Sequence, residues 1–167
     1  QQQQQQQSRQ QIIALLQRFK FVRQSLKCSA RHLLHVDDVF NKAKIAVLYP
    51  IKPLYDLARE RLTPACKRAF TRIFRLFDLD RDCLWNDNEL RSFQQKIWGM
   101  NMMLESNVIE WKKALLAQHH SRHGESLLVD DKITFAGFLT IMDIYIRQNK
   151  LEVLWQVLWQ LGYDDDL

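Results

Sequence analysis

Residues 78–89 read DLDRDCLWNDNE and carry oxygen-bearing side chains at alternating positions. Hard divalent cations such as calcium take several oxygen ligands from carboxylates, amides and backbone carbonyls; in twelve-residue loops of this kind they come from places 1, 3, 5, 7, 9 and 12. Here those places hold Asp78, Asp80, Asp82, Leu84, Asn86 and Glu89, with Leu84 offering its backbone carbonyl. The pattern predicts a calcium site. Magnesium in the same loop, and a solvated acidic turn without an ion, are the alternatives.

Place 6 of the loop carries Cys83, where such loops need glycine. The backbone turns sharply there with a positive φ, which costs a residue with a Cβ atom about 1–3 kcal/mol. If that strain falls on the bound loop alone, calcium affinity is lowered by about 5- to 100-fold. We therefore expect the site to be weakened by Cys83 and not abolished. A metal-binding or redox thiol is the alternative, but no Cys or His stands at ligand spacing from it.

The acidic loop lies between two segments with helical apolar spacing. Thr63 and Pro64 match an N-cap followed by proline at the first helical position. The apolar stripes consist of Cys66, Ala69, Phe70, Ile73, Phe74 and Phe77 before the loop, and Leu90, Phe93 and Ile97 after it. A helix, a twelve-residue ligand loop and a second helix form an EF-hand.

A second hand is expected, because a single hand leaves its apolar helix faces uncovered. If Ile133 lies opposite Trp85 at place 8, the second loop runs over residues 126–137. Its places 1, 3, 5, 9 and 12 are then Ser126, Leu128, Asp130, Thr134 and Gly137. Leu128 cannot coordinate a cation, and Gly137 removes the bidentate carboxylate. We predict a degenerate hand that packs against the first and binds no ion.

Two further groups of residues could bind metals, and both have simpler interpretations. His119, His120 and His123 include an i, i+4 pair that could bind zinc, but no third ligand is evident and a solvated helix end is favoured. Residues 163–167, YDDDL, could form a second cation site. Adjacent aspartates point in different directions, so we interpret this segment as a solvated acidic exit.

Composition favours a mainly α-helical protein. The 167 residues are 47% hydrophobic and include only four glycines and three prolines. The net charge of +5 is dispersed, without the Lys/Arg runs of nucleic-acid-binding segments. No apolar run approaches the roughly 20 residues that span a bilayer, so direct membrane insertion by this chain is not expected. Three cysteines, an odd number, argue against a disulfide framework and fit a reducing compartment.

The chain divides into five predicted segments. Residues 1–11 form a disordered polyglutamine segment, and 12–48 form a helix, a strand over 21–28, and a second helix. Residues 49–62 contain Pro50 and Pro53 and are predicted to be a linker. The EF-hand pair occupies 63–161, and 162–167 form the acidic exit. Because the sequence does not begin with methionine, we expect it to be a fragment.

The sequence resembles the first EF-hand module of the mitochondrial Rho GTPases, the Miro family. The blocks that carry the resemblance are LTPACKRAFTRIFRLFDLDRDCLWNDNELRSFQ, ITFAGFLTIMDIYIRQ and WQVLWQLGYDDDL, in that order. The preceding stretch, KCSARHLLHVDDVFNKAKIAVLYPIKPLY, resembles the end of the family's N-terminal Ras-like GTPase domain and its exit linker. The resemblance implies that Ser29, Ala30 and Arg31 are a remnant of a guanine-contacting motif. The Ala30 amide would meet the base, and Arg31 replaces the family's lysine.

The nucleotide-binding apparatus is otherwise missing from these residues. Neither a glycine-rich phosphate loop nor an Asn-Lys-x-Asp motif is present, so this chain alone is not expected to bind or hydrolyse GTP. The resemblance implies a calcium-binding module on the cytosolic side of the mitochondrial outer membrane, with motor-adaptor proteins and the rest of a Miro GTPase as partners; this chain alone would be soluble. The alternatives are part of an active GTP-hydrolysing Miro and a non-functional gene fragment.

Overall fold

The structure is a computed structural model that describes residues 10–15, 18, 19, 22, 25–99, 105–118 and 124–167. Over these residues the chain is mainly α-helical, as predicted. Its helices include α1 (Val36–Leu48), α2 (Pro64–Phe77), α3 (Asp87–Trp98), α4 (Glu105–Leu116), α5 (Phe135–Arg147) and α6 (Leu151–Gln160). Its short strands are β1 (Tyr55–Asp56), β2 (Arg61–Leu62), β3 (Leu84–Trp85), β4 (Leu128–Val129) and β5 (Lys132–Thr134).

Polar side chains fix the starts of the helices that flank the two loops. The Thr63 hydroxyl accepts a hydrogen bond from the Cys66 amide at 3.1 Å, and Pro64 follows at the first position of α2. Asn86 and Glu89 form a capping box at the start of α3. The Thr134 hydroxyl caps α5 by accepting from the Gly137 amide at 3.0 Å. Each cap sets the residue at which a loop ends and a helix begins.

The two loops are joined by a small antiparallel sheet. β3 from the first loop pairs with β5 from the second, with Trp85 opposite Ile133 and Leu84 opposite Thr134. β4 pairs with the other edge of β5. The register predicted from place 8 of each loop is confirmed. The fold is an EF-hand pair, as the sequence indicated.

An aromatic cluster forms the centre of the paired hands. Trp85 is fully buried, its ring stacks on Phe74 at 4.7 Å between centroids, and its indole Nε1 donates to the Phe74 carbonyl at 2.9 Å. Phe93 and Phe138 meet the same indole ring, each with centroids 5.0 Å away. Residues from α2, α3, α5 and β3 thus share one core, and the two hands fold around it together.

Residues 49–62, expected to be a linker, form a β1–β2 hairpin that packs on the core. Leu54 is fully buried and Tyr55 nearly so. The Trp155 indole donates to the Pro50 carbonyl at 2.9 Å, and the Thr63 hydroxyl donates to the Pro53 carbonyl at 2.6 Å. The prolines interrupt the helical pattern as predicted. Strands of two residues are too short to show any alternation in the sequence.

The segment before the hairpin is only partly as predicted. Residues 10–15 and α1 are helical, whereas the strand expected over 21–28 is not seen at the described residues 22 and 25–28. A strand is stable when it pairs with neighbours, and within the described chain the only pairing here is the isolated bridge between Ser29 and Leu34. Residues 1–9 of the predicted polyglutamine segment, and residues 21, 23 and 24 of the predicted strand, lie outside the described residues, whereas Gln10 and Gln11, predicted to be disordered, are helical.

Candidate metal centre

The acidic loop brings three of its predicted ligands together. α2 ends at Phe77, and oxygen atoms of Asp78, Asp80 and Asp82 all lie within 4.8 Å of one another. Calcium binds oxygen at about 2.3–2.6 Å, so two of its ligands are separated by at most about 5 Å. The three carboxylates can therefore reach one cation. Within the part of the chain that the structure describes, this is the one cluster of three acidic, histidine or cysteine side chains.

At place 1 of the loop, Asp78 has one buried carboxylate oxygen that accepts no hydrogen bond from the described part of the chain. The residue is 9% exposed, and its Oδ2 accepts a hydrogen bond from the Cys83 amide at 3.1 Å. Its Oδ1 is buried and has no hydrogen-bond partner among the described residues. A buried carboxylate oxygen without a partner is costly. A bound cation would satisfy it, so this residue fits a metal site.

Asp80 and Asp82 hold the turn of the loop. Asp80 Oδ1 accepts from the Asp82 amide at 3.2 Å, and Asp82 Oδ1 accepts from the Leu84 amide at 2.8 Å. These are Asx turns, in which a short carboxylate bonds the backbone two residues ahead. The hydrogen bond from the Lys132 ammonium, followed by that from the Leu84 amide, lowers the pKa of Asp82. No pattern in the sequence indicates that Lys132 reaches this loop.

Glu89, at place 12, is 2% exposed and fixed against the start of the loop. Its Oε1 accepts from the Leu79 amide at 2.6 Å and the Asp80 amide at 3.3 Å, and its Oε2 accepts from the Asn86 amide at 2.9 Å. The Asn86 side-chain oxygen in turn accepts from the Asn88 and Glu89 amides. Residues at places 9 and 12 therefore also cap α3. Leu84 lies on β3, beside the second loop.

Cys83 has the backbone conformation that the loop pattern predicts. Its φ is +64°, in the left-handed region that favours glycine. Arg81 at place 4 also has a positive φ, of +62°, which the sequence did not indicate. The Cys83 side chain is exposed, in contrast to Cys66, whose burial raises the thiol pKa to about 12.

The second loop is closed by its own backbone. The Thr134 amide donates to the Leu127 carbonyl at 3.2 Å, and the Thr134 hydroxyl donates to the Ser126 carbonyl at 2.8 Å. A Cβ atom on Gly137 would lie 2.3 Å from the Leu127 carbonyl oxygen, so no larger side chain fits at place 12 without a shift. This geometry supports the interpretation of the second hand as a packing partner.

The remaining candidates that the structure describes do not join the acidic loop. Ser29, Ala30 and Arg31 lie in a turn closed by the bridge between Ser29 and Leu34, where Ser29 Oγ accepts from the His32 amide at 3.3 Å. The three histidines, His119, His120 and His123, lie outside the described residues. In the exit segment, Asp165 accepts from the Trp159 indole at 3.1 Å.

Comparison with known proteins identifies what this chain is similar to. Residues 102–167 match the family model described as "EF hand associated". Over 94% of its length, the chain is 35% identical to Mitochondrial Rho GTPase 1 of Mycosarcoma maydis. Over nearly its whole length, the chain is therefore similar to a segment of a mitochondrial Rho GTPase. It spans 24% of the length of that relative.

The similarity to a mitochondrial Rho GTPase and the EF-hand associated match support a Miro-like, calcium-related module. Among the described residues, no helix is long and apolar enough to cross a membrane.

Proposed function

We propose that this chain is a calcium-binding EF-hand module of a Miro-type GTPase. The observation that carries the proposal is the buried, unpartnered Oδ1 of Asp78, which lies in a cluster with Asp80 and Asp82. Hydrogen bonds satisfy the other oxygen of Asp78, and the backbone of the loop is already turned around the cluster. A divalent cation is the partner that this arrangement lacks.

The proposed ligands occupy the six places of one loop. They are Asp78, Asp80 and Asp82 through their carboxylates, Leu84 through its carbonyl, Asn86 through its side chain or a water, and Glu89 through its carboxylate. Calcium is favoured over magnesium, because a protein cage of this size with a bidentate glutamate suits the larger ion, whereas magnesium keeps several waters. The second loop contributes packing and no ligand.

Titration calorimetry of the purified chain tests this proposal. We expect one calcium ion per chain for the wild type and no binding for Glu89→Gln, which removes the charge at place 12. Glu110→Gln is the matched control, because Glu110 is an exposed glutamate on α4 outside the loop. Circular dichroism verifies that each variant is folded. Absence of binding heat in the wild type would reject the proposal.

The wider role follows from the family and is proposed on that basis. We infer that the complete protein acts on the cytosolic side of the mitochondrial outer membrane in mitochondrial transport and distribution, with motor-adaptor proteins as partners. Calcium at this loop would then report the cytosolic ion concentration to the rest of the GTPase. Mitochondrial localisation of a full-length tagged protein, and its loss of calcium response in Glu89→Gln, test this role.

A GTP-hydrolysing protein is the second candidate, at the level of the whole gene product. The similarity to a GTPase extends over 94% of the chain, which includes the segment with Ser29, Ala30 and Arg31. A phosphate loop encoded upstream of residue 1 in the same reading frame would support this candidate. A non-functional gene fragment, the third hypothesis, predicts that no such transcript is made.

A further inference from the structure

A lysine of the second hand reaches into the ligands of the first. Lys132 lies on β5, and its Nζ is 2.5 Å from Asp82 Oδ2 and 4.0 Å from Asp80 Oδ2. The pairing of β5 with β3, which sets Trp85 opposite Ile133, fixes the backbone from which this side chain extends. A positive charge is thus built into the carboxylate cluster.

Both oxygens of Asp82 have partners in this arrangement. Oδ1 accepts from the Leu84 amide at 2.8 Å, and Oδ2 accepts from the Lys132 ammonium. A cation that uses Asp82 must therefore share Oδ1 with the Leu84 amide while Lys132 stays beside it on Oδ2, or displace Lys132 from Oδ2 or share that oxygen with it. The lysine side chain is 33% exposed, so it can move into solvent without displacing residues of the core.

We propose that Lys132 is an internal counter-cation that competes with calcium for Asp80 and Asp82 and so lowers the calcium affinity of the first loop. This inference rests on the proposed calcium-binding function. It gives the second hand a role besides packing, because a residue of the hand that binds no ion sets the affinity of the hand that does.

The electrostatics of the loop explain why a lysine is useful there. Three aspartates and Glu89 place four carboxylates in one short segment, and their mutual repulsion destabilises the fold when no cation offsets it. Lys132 supplies one positive charge to this cluster. The same charge repels a divalent ion and is screened little at such short range. One side chain therefore stabilises the calcium-free loop and opposes calcium binding.

Calorimetry on neutral and charged variants tests the proposal. Lys132→Met and Lys132→Gln remove the charge and are expected to bind calcium about 3- to 10-fold more tightly than the wild type. The expected gain is modest because the ion pair of Lys132 is partly exposed, although its charge repels an ion that carries two charges. Lys132→Arg keeps the charge and is expected to bind within about 2-fold of the wild type.

Lys112 provides a matched control. Its Nζ lies 2.7 Å from Asp87 Oδ1 and 2.6 Å from Asp131 Oδ2, so it also bridges the two loops, but it contacts no proposed calcium ligand. Lys112→Gln is expected to leave calcium affinity unchanged. A comparable gain of calcium affinity in this variant would show that removing any nearby positive charge has the same effect. That result would overturn the specific role of Lys132.

Thermal unfolding provides a measurement that does not depend on the heat of calcium binding. In chelator, both neutral variants of Lys132 are expected to melt below the wild type, and saturating calcium is expected to raise their Tm by more than it raises that of the wild type. If the wild type binds calcium and the neutral variants bind equally or more weakly, the inference fails while the proposed function stands. If neither the wild type nor any variant binds calcium, the proposed function fails, and the inference with it.

Discussion

At the residue scale, two positions of the acidic loop have the positive φ that favours glycine, Arg81 at place 4 with +62° and Cys83 at place 6 with +64°. Cys83 stands where such loops carry glycine, and its own amide donates the hydrogen bond to Asp78 Oδ2 that holds the turn in place. A cysteine in this conformation costs about 1–3 kcal/mol relative to a residue without a Cβ atom. The six proposed ligands are complete, so the site is weakened by backbone strain, which at place 6 falls where such loops carry glycine.

Replacing Cys83 with glycine should therefore improve the site. If the strain falls only on the calcium-bound loop, we expect calcium affinity to rise by about 5- to 100-fold. If the calcium-free loop is strained as well, the shared part of the strain should appear as a gain in thermal stability. Calorimetry and thermal unfolding together measure both parts. Cys83→Ala, which removes the thiol but keeps the Cβ atom, should behave as the wild type. No gain in either quantity would show that the cysteine causes no strain here.

Gly137 is the corresponding position of the second loop, and it cannot be restored to a ligand. A Cβ atom there would lie 2.3 Å from the Leu127 carbonyl oxygen. We expect Gly137→Ala to lower the free energy of unfolding by about 1–3 kcal/mol, as overpacking does. Gly137→Glu should destabilise the protein and add no second calcium ion. Urea unfolding and the calorimetric stoichiometry measure these results; a stoichiometry of two for Gly137→Glu would contradict the interpretation.

At the scale of the elements, the β1–β2 hairpin belongs to the same folded unit as the two hands. Leu54 is fully buried, and the hydrogen bond from the Trp155 indole to the Pro50 carbonyl ties α6 to the start of the segment. Removing these residues as a dispensable linker would expose apolar surface of the core. The unit that folds therefore begins before α2.

Truncating one hairpin side chain tests this extent of the folded unit. We expect Leu54→Ala to lower the free energy of unfolding by about 2–5 kcal/mol, the usual cost of a buried leucine. Leu76→Ala is the control, because Leu76 is 59% exposed on α2, and its effect should stay within about 0.5 kcal/mol. Urea unfolding followed by tryptophan fluorescence measures both. Equal, small effects would mean that the hairpin does not stabilise the hands.

At the scale of the whole molecule, the N-terminal third differs from the rest in burial. α1 contains no buried residue, and Phe40 and Val47 are 70% and 80% exposed. The hands, by contrast, enclose a continuous core that includes Trp85, Phe93 and Trp155. Local stability follows buried apolar contacts, so the two parts should open independently.

Limited proteolysis should trim residues 12–48 first and leave a fragment that begins near the hairpin. The expected cause is the lack of buried side chains in α1, which lets the backbone open at low cost. Mass spectrometry of the products identifies the cut sites, and residues 49–161 should persist. Survival of the N-terminal third after the hands are digested would contradict this difference in stability.

Nucleotide binding is the other property of the whole chain that can be predicted. By resemblance, only the turn at Ser29, Ala30 and Arg31 would correspond to a guanine-contacting motif, and no phosphate loop is present in the sequence. Most of the affinity for GTP comes from phosphate contacts with such a loop and its magnesium ion. Labelled GTP should not be retained at micromolar concentration in equilibrium dialysis, and measurable retention would reject the prediction.

The sequence by itself determined the helical class, the acidic cluster of Asp78, Asp80 and Asp82, the positive φ at Cys83 and the pairing of Trp85 with Ile133. These features depend on local spacing, caps and turn geometry, which are set by residues close together in the chain. The absence of a carboxylate at Gly137 likewise predicts a degenerate second hand.

Only the tertiary structure decided what lies against the loop and what joins the core. Lys132 is 50 residues from Asp82 in the sequence, and it reaches that carboxylate only because β5 pairs with β3. Leu54 is buried because α6 and the hands surround it, and the expected strand over 21–28 is missing at its described residues because no neighbouring strand pairs with it there. Contacts between segments far apart in the chain depend on chain closure and packing, which no local pattern encodes.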